Sequence, residues 1–280
     1  MNLEPDQRSF SPRTYLFVPG DRPERFDTAW ESPADAVIID LEDSVPPDHK
    51  PRARQGVARW LSAAKPVWIR INAEDTPWFS DDLELLGQEG VAGVLVPKAE
   101  ALPASVLDAA ASRGLPVMPI VETAVGMRNV ERLATTRGVA RLAFGAVDFQ
   151  VDMGIEGDDD ALLFFRSTLV LASRLGALPA PVDGVTVAVS DAERLRHETL
   201  RARRLGFGAK LCIHPRQVEP VHDVMAPTKE ERGWAARVIA GMEASRGAAV
   251  KVDGKMVDRP VLARAMRIAA APRAAERLRR

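Results

Sequence analysis

Met118-Pro-Ile-Val-Glu-Thr-Ala124 runs from four apolar residues, the rigid Pro119 among them, straight into a carboxylate and then a helix start. An apolar run closed by a cap signal reads as a strand buried on both faces. Glu122 then stands at the carboxyl end of a parallel strand, where α/β folds keep their chemistry. Arg141 to Val147 (RLAFGAV) repeats the pattern one strand–helix–strand unit later and ends on Asp148. Neighbouring strands lie about 5 Å apart, so both carboxylates can reach one ion. Two hard oxygen ligands with room for waters and substrate suit Mg²⁺. Spacing alone equally allows two acidic residues capping successive helices.

On either side of this stretch the same alternation continues. Strands are expected at Tyr15–Gly20, Asp35–Asp40, Pro66–Arg70, Gly93–Lys98, Val117–Val121, Arg141–Val147, Val182–Val187 and Ala209–His214. Helices are expected after Pro23 and over Asp48–Ser62, Phe79–Glu89, Ala104–Arg113, Ala124–Thr135, Ala161–Leu175 and Asp191–Leu205. Eight strands alternating with helices predict a (β/α)8 barrel over residues 1–225. An open doubly wound sheet would be unusually wide, and no GxGxxG motif supports it. Residues 226–280 change character: a helix over Lys229–Arg246, a hairpin with an Asp-Gly turn over Ala249–Pro260, and an Arg/Ala-rich helix over Leu262–Arg280. This extension is too small and polar for a core of its own, and is expected to pack on the barrel or on a neighbouring subunit. Met1–Pro12 reads as a loose arm.

With 280 residues, 46% hydrophobic, and a formal net charge of −1, the chain can bury a large core and has no bulk charge to attract nucleic acid. No apolar stretch approaches a membrane span. Cys212 is the sole cysteine, which excludes an intramolecular disulfide and fits a reducing cytoplasm. It sits in an apolar strand and reads as core. His49, His197, His214 and His222 lack zinc spacing.

The residues that close the strands share one barrel rim: Asp21 and Arg22; Asp40, Glu42 and Asp43; Arg70 and Asn72; Lys98; Glu122; Asp148; His214. Arg70, after three apolar residues, suits bidentate capture of a substrate carboxylate, or a structural salt bridge to Glu42 or Asp43. Lys98 can orient Glu122, bind substrate, or form an ion pair, and a Schiff base is the minor reading. His214, before Pro215, reads as a cap. The acidic run Asp158-Asp-Asp160 reads as a solvated loop.

The segments Arg13-Thr-Tyr-Leu-Phe-Val-Pro-Gly-Asp-Arg-Pro-Glu-Arg25, Asp40-Leu-Glu-Asp-Ser-Val45, Val67-Trp-Ile-Arg-Ile-Asn72, Val96-Pro-Lys98, Val121-Glu-Thr123, Gly145-Ala-Val-Asp148, Cys212-Ile-His-Pro215 and Gly254-Lys-Met-Val-Asp258 come in an order that closely resembles the citrate lyase beta subunit-like family. These are acyl-CoA lyases that include malyl-CoA and citramalyl-CoA lyases. The resemblance implies a (β/α)8 barrel assembled as a homotrimer, with Glu122 and Asp148 as Mg²⁺ ligands and Arg70 holding the oxo-acid. It further implies that the C-terminal segment closes over a neighbour's active site and that Asp258 supplies an acid or base. Read without the family, Asp258 is a polar hairpin residue.

The expected chemistry is cleavage of a 3-hydroxyacyl-CoA thioester to acetyl-CoA and a 2-oxo acid, or the reverse condensation. Glu42 and Asp43 would hold metal-bound waters and Arg70. Arg22 and Arg25 could pair with the CoA phosphates, or be merely solvated. Three alternatives stand beside this: a citrate lyase subunit acting on an acyl-carrier protein, a non-catalytic acyl-CoA-binding trimer, and thioester hydrolysis.

Overall fold

The computed structural model describes residues 11–157 and 159–271. Most of the expected arm, Asp158 of the acidic run and the last nine residues of the expected C-terminal helix lie outside the described residues. Eight parallel strands close into a barrel in sequence order: β1 (Thr14–Pro19), β2 (Ala36–Asp40), β3 (Val67–Arg70), β4 (Val91–Val96), β5 (Val117–Val121), β6 (Ala143–Phe144), β7 (Val182–Asp183) and β8 (Ala209–Cys212). β1 pairs with both β2 and β8, which seals the ring.

Side chains alternate across each strand, and the two faces fill separate cores. Tyr15, Ile38, Leu95, Met118, Ile120, Ala143, Val182 and Leu211 pack together as one cluster that fills the barrel interior. Leu16, Val18, Val37, Ile39, Ile69 and Val94 join the helical layer outside. Continuing the inward parity two residues beyond Ile38, Trp68, Ile120 and Ala143 reaches Asp40, Arg70, Glu122 and Gly145. The rim chemistry is therefore set by strand register.

Two strands are shorter than their apolar runs. β6 stops at Phe144, and Ala146–Met153 is already helix, so Asp148 lies in that helix's first turn rather than on the strand end. Gly145 at this turn permits a close approach, since a Cβ there would come within 2.5 Å of the Glu122 Cβ. β7 stops at Asp183, and the next carbonyl, Gly184 O, accepts from Lys210 Nζ at 2.7 Å. The expected helix over 124–135 breaks at Asn129 into Ala124–Arg128 and Val130–Thr135. One helix, Val218–Met225, was absent from the sequence reading; Pro220 disguises it but falls in the first turn, where proline is tolerated.

The C-terminal extension corrects an expectation. Helix Lys229–Ala244, the hairpin β9 (Val250–Val252) and β10 (Lys255–Val257), and helix Arg259–Ala270 enclose Ala235, Val238, Met242, Val257 and Ala265 in a small core of their own. The hairpin turn has positive φ at Asp253 (50°) and Gly254 (79°), as a two-residue Asp-Gly turn requires.

Candidate active site

Asp40 closes β2 with 1% exposure and organises the turn that follows: its Oδ1 accepts from Glu42 N at 2.9 Å, its Oδ2 from Ser44 N at 3.1 Å. The same two oxygens take Arg70 in a bidentate pair, Nε–Oδ1 2.6 Å and Nη2–Oδ2 2.7 Å. Burial alone would raise the Asp40 carboxyl; the adjacent Arg70 charge and these bonds outweigh it and hold it below its usual range. The remaining nitrogen, Arg70 Nη1, lies 2.9 Å from Glu42 Oε2 and 3.5 Å from Asp43 Oδ2. The guanidinium also sits 4.9 Å over the Phe17 ring. The Arg70 fork expected to seize a substrate carboxylate is thus already closed on Asp40, a partner the sequence reading did not assign.

Lys98 bridges the two halves of the rim. Its backbone has φ 46°, a left-handed conformation costly for a lysine. That turn aims its N–H at Glu122 Oε1, 2.6 Å away, while its Nζ reaches Glu42 Oε1 at 2.6 Å. Burial works against the Lys98 ammonium, but the Glu42 bond and charge prevail and its proton affinity rises. A protonated, ion-paired lysine is poorly suited to Schiff-base attack.

Glu122 is 3% exposed and follows β5; Thr123 then caps the next helix, accepting from Gly126 N at 2.9 Å. Burial, reinforced by the Glu42 charge and then by Asp148, raises Glu122 to about 8, against the Lys98 N–H and the more distant Arg70 charge. Glu42 is raised too, by burial first, with Asp43 adding to it. Glu42 Oε2 is buried without a hydrogen bond, since Arg70 Nη1 approaches off its donor axis. Half-buried Asp148 completes the group from the helix after β6. Three carboxylates crowd together with too few donors, an arrangement that favours a cation. Among the described residues, no three acid, histidine or cysteine groups converge at metal-ligand spacing; Glu122 and Asp148 could hold an ion only with other positions left to water or substrate. That open shell matches Mg²⁺, which binds one or two carboxylates and keeps waters or substrate oxygens, and not a closed zinc or calcium cage.

The structure separates the remaining expected residues. Arg22 lines a cleft of about 650 Å³ between the β1 turn and helix Lys50–Trp60, together with His49, Arg52, Arg59 and Trp60; Arg25 is exposed and does not line it. Asp43 is half-exposed, 3.9 Å from Lys98 Nζ. Asp258 is exposed and caps helix Arg259–Ala270, accepting from Val261 N at 3.4 Å. Among the described residues no hydrogen bond or ion pair joins it to the rim. His214 Nδ1 accepts from Arg216 N at 3.1 Å, the expected cap, and fully buried Cys212, raised to about 12, is core. No described helix is long and apolar enough to cross a membrane.

Comparison with known proteins gives the chain's relatives. The family model described as HpcH/HpaI aldolase/citrate lyase matches residues 13–215. The chain is 38% identical to a citrate lyase subunit beta-like protein of Deinococcus radiodurans, over 90% of this chain and 94% of that one. It is 34% identical to a (3S)-malyl-CoA thioesterase of Cereibacter sphaeroides (92% and 96% covered). It is also 32% identical to an L-malyl-CoA/beta-methylmalyl-CoA lyase of Rhodobacter capsulatus (88% and 90% covered). Among solved structures, the CitE protein of Mycobacterium tuberculosis in complex with magnesium, acetoacetate and coenzyme A superposes with a TM-score of 0.81 at 35% identity, covering 94% of this chain and 99% of that one.

Proposed function

This chain belongs to the HpcH/HpaI aldolase/citrate lyase family, and on that footing we propose that it is a Mg²⁺-dependent carbon–carbon lyase. Its substrate would be a 3-hydroxyacyl-CoA thioester of the malyl-CoA or citramalyl-CoA type, cleaved to acetyl-CoA and a 2-oxo acid or formed in reverse. The observation that carries the reading is buried Glu122, whose proton affinity is raised beside Glu42 and Asp148 at the barrel rim.

In this reading Glu122 and Asp148 hold Mg²⁺. When bound there, the ion supplies Lewis-acid polarisation of the oxo-acid oxygens. Lys98 N–H fixes one Glu122 oxygen, which leaves the other for the site. Arg70 keeps two of its five N–H groups on Asp40; its Nη1, the loosely bonded nitrogen, is the one to grip the substrate carboxylate. Glu42, lacking a hydrogen bond on Oε2, orients water at the rim. As the C2–C3 bond breaks, the 3-hydroxyl loses its proton and the departing thioester enolate gains one at C2. Asp258, carried by a neighbour's C-terminal unit in a homotrimer, moves one of these protons. The exposed apolar residues Phe164, Leu171 and Leu175, spaced along one side of helix Leu163–Leu175, support packing against another subunit. Arg22, with Arg52 and Arg59 in the same cleft, offers cations to the CoA phosphates.

The thioesterase relative supports a second reading, hydrolysis at the same site. One assay separates the two. Purified protein, Mg²⁺ and a panel of 3-hydroxyacyl-CoA thioesters should release equal oxo-acid and acetyl-CoA, and both EDTA and Glu122→Ala should abolish release. Free CoA without oxo-acid would establish hydrolysis, and cleavage that survives EDTA would sink the Glu122/Asp148 assignment.

A further inference from the structure

Lys50 is the first residue of helix Lys50–Trp60, where a cation opposes the positive end of the helix dipole, and it is only 6% exposed. Its ammonium is nonetheless fully engaged. Nζ donates to Leu41 O at 2.8 Å, to Glu42 O at 3.0 Å and to Asn72 Oδ1 at 2.5 Å, which uses all three of its protons. None of these acceptors lies on its own helix. Leu41 and Glu42 belong to the turn after β2; Asn72 lies two residues beyond Arg70 at the exit of β3.

The bonds continue through buried groups. Asn72 donates from its N (2.9 Å) and Nδ2 (2.6 Å) to Asp82 Oδ2, and Arg54 Nε holds Asp82 Oδ1 at 2.9 Å. Arg54 lies one helical turn beyond Lys50, so the two cations grip this network from one helix face. The Trp78 ring lies 4.9 Å from Lys50 Nζ. Nothing in the network contacts the metal pair directly, yet it joins the turn that presents Glu42 to the strand that presents Arg70.

We propose that Lys50 is a positioning residue. Its ammonium ties the turn after β2 to the exit of β3 and thereby holds the Glu42 carboxylate between Arg70 and Lys98, beside the Glu122/Asp148 site. The effect on turnover rests on the whole lyase reading; the effect on metal affinity rests only on its Glu122/Asp148 metal site.

The test compares wild type, Lys50→Met, which keeps the volume, and Lys50→Ala, which removes the equivalent of one propylammonium. Two quantities are read well below each protein's melting temperature: thioester cleavage, and affinity for Mn²⁺ alone by electron paramagnetic resonance. A small misplacement of catalytic groups by a change remote from the chemistry costs up to about 100-fold in rate. Lys50→Met should lose kcat in that range and bind Mn²⁺ about tenfold more weakly, with KM for the thioester unchanged. Added propylammonium should restore part of the loss in Lys50→Ala, and tetramethylammonium should not. If wild type cleaves none of the thioesters, the lyase reading falls, and the Mn²⁺ comparison still decides the role of Lys50. A lowered melting temperature with kcat and Mn²⁺ affinity intact would overturn the proposal and leave Lys50 a stabilising residue only.

Discussion

Glu122 shows how a single carboxylate can be held at odds with its surroundings. It has one firm donor, Lys98 N–H, and neighbours of its own sign. At about 8, its folded-state proton affinity lies far above the ordinary 4.5. Metal-free folded protein therefore keeps a proton that the unfolded chain releases, and stability falls as pH rises from about 5 to 8, then levels off. The melting temperature of EDTA-treated protein should fall across that window. Glu122→Gln should shrink the fall, raise the melting temperature at pH 8, and abolish stabilisation by added Mg²⁺. Equal pH dependence in both proteins would refute an unpaired buried charge. Arg70 is the opposite case: bidentate bonding to Asp40, with Glu42 and Asp43 close by, holds the guanidinium in place before any substrate arrives and leaves Nη1 loosely bonded. Such preorganisation spares the reaction the cost of ordering a flexible cation.

At the scale of elements, the short β6 and the helix after it matter most. Gly145 brings the chain across Glu122 so closely that any side chain there would occupy the carboxylate's place, Glu122 Oε2 being the nearest atom. The early turn also puts Asp148 on a helix, one step back from the strand end. Gly145→Ala should therefore displace Glu122 and lower kcat about 100-fold or more, as ångström-scale misplacement of a catalytic group does, while circular dichroism still reports a folded barrel. Full activity in Gly145→Ala would show that the Glu122 carboxylate tolerates a different rotamer. The left-handed turn at Lys98 plays a matching part on β4, where backbone strain aims an amide into the site.

For the whole molecule, the C-terminal unit carries its own apolar core, and Asp258 stands exposed at the start of its last helix. If Asp258 acts in a neighbour's site, Asp258→Ala and Glu122→Ala proteins should each be inactive alone. Mixed and refolded together, they should regain about a quarter of wild-type activity, because only sites with both residues intact can turn over. No recovery on mixing, with hybrid assembly shown by mass spectrometry, would place the proton-moving group within one chain.

Eight short apolar runs alternating with helical segments carried the barrel, because runs of that length closed by turn or cap signals suit strands buried on both faces. Position after a strand also placed Glu122, Arg70 and Lys98 on one rim; inward parity through Ile120 and Trp68 aims Glu122 and Arg70, whereas Lys98, out of phase with inward-facing Leu95, reaches the site through its left-handed turn. The order of motifs carried the family. Other features depended on contacts between residues far apart in the chain, which no local pattern records. Asp40 as the bidentate partner of Arg70 follows from the parallel register of β2 and β3. The ends of β6 and β7 lie at such contacts, Gly145 against Glu122 and Gly184 O against Lys210 Nζ. Lys50 reads in sequence as one more cation on a basic helix; only folding carries it across to the carbonyls of Leu41 and Glu42. Sequence determined which groups stand at the strand ends, and the tertiary structure decided which of them touch, because side-chain pairing depends on the registers and turns that bring distant strands together.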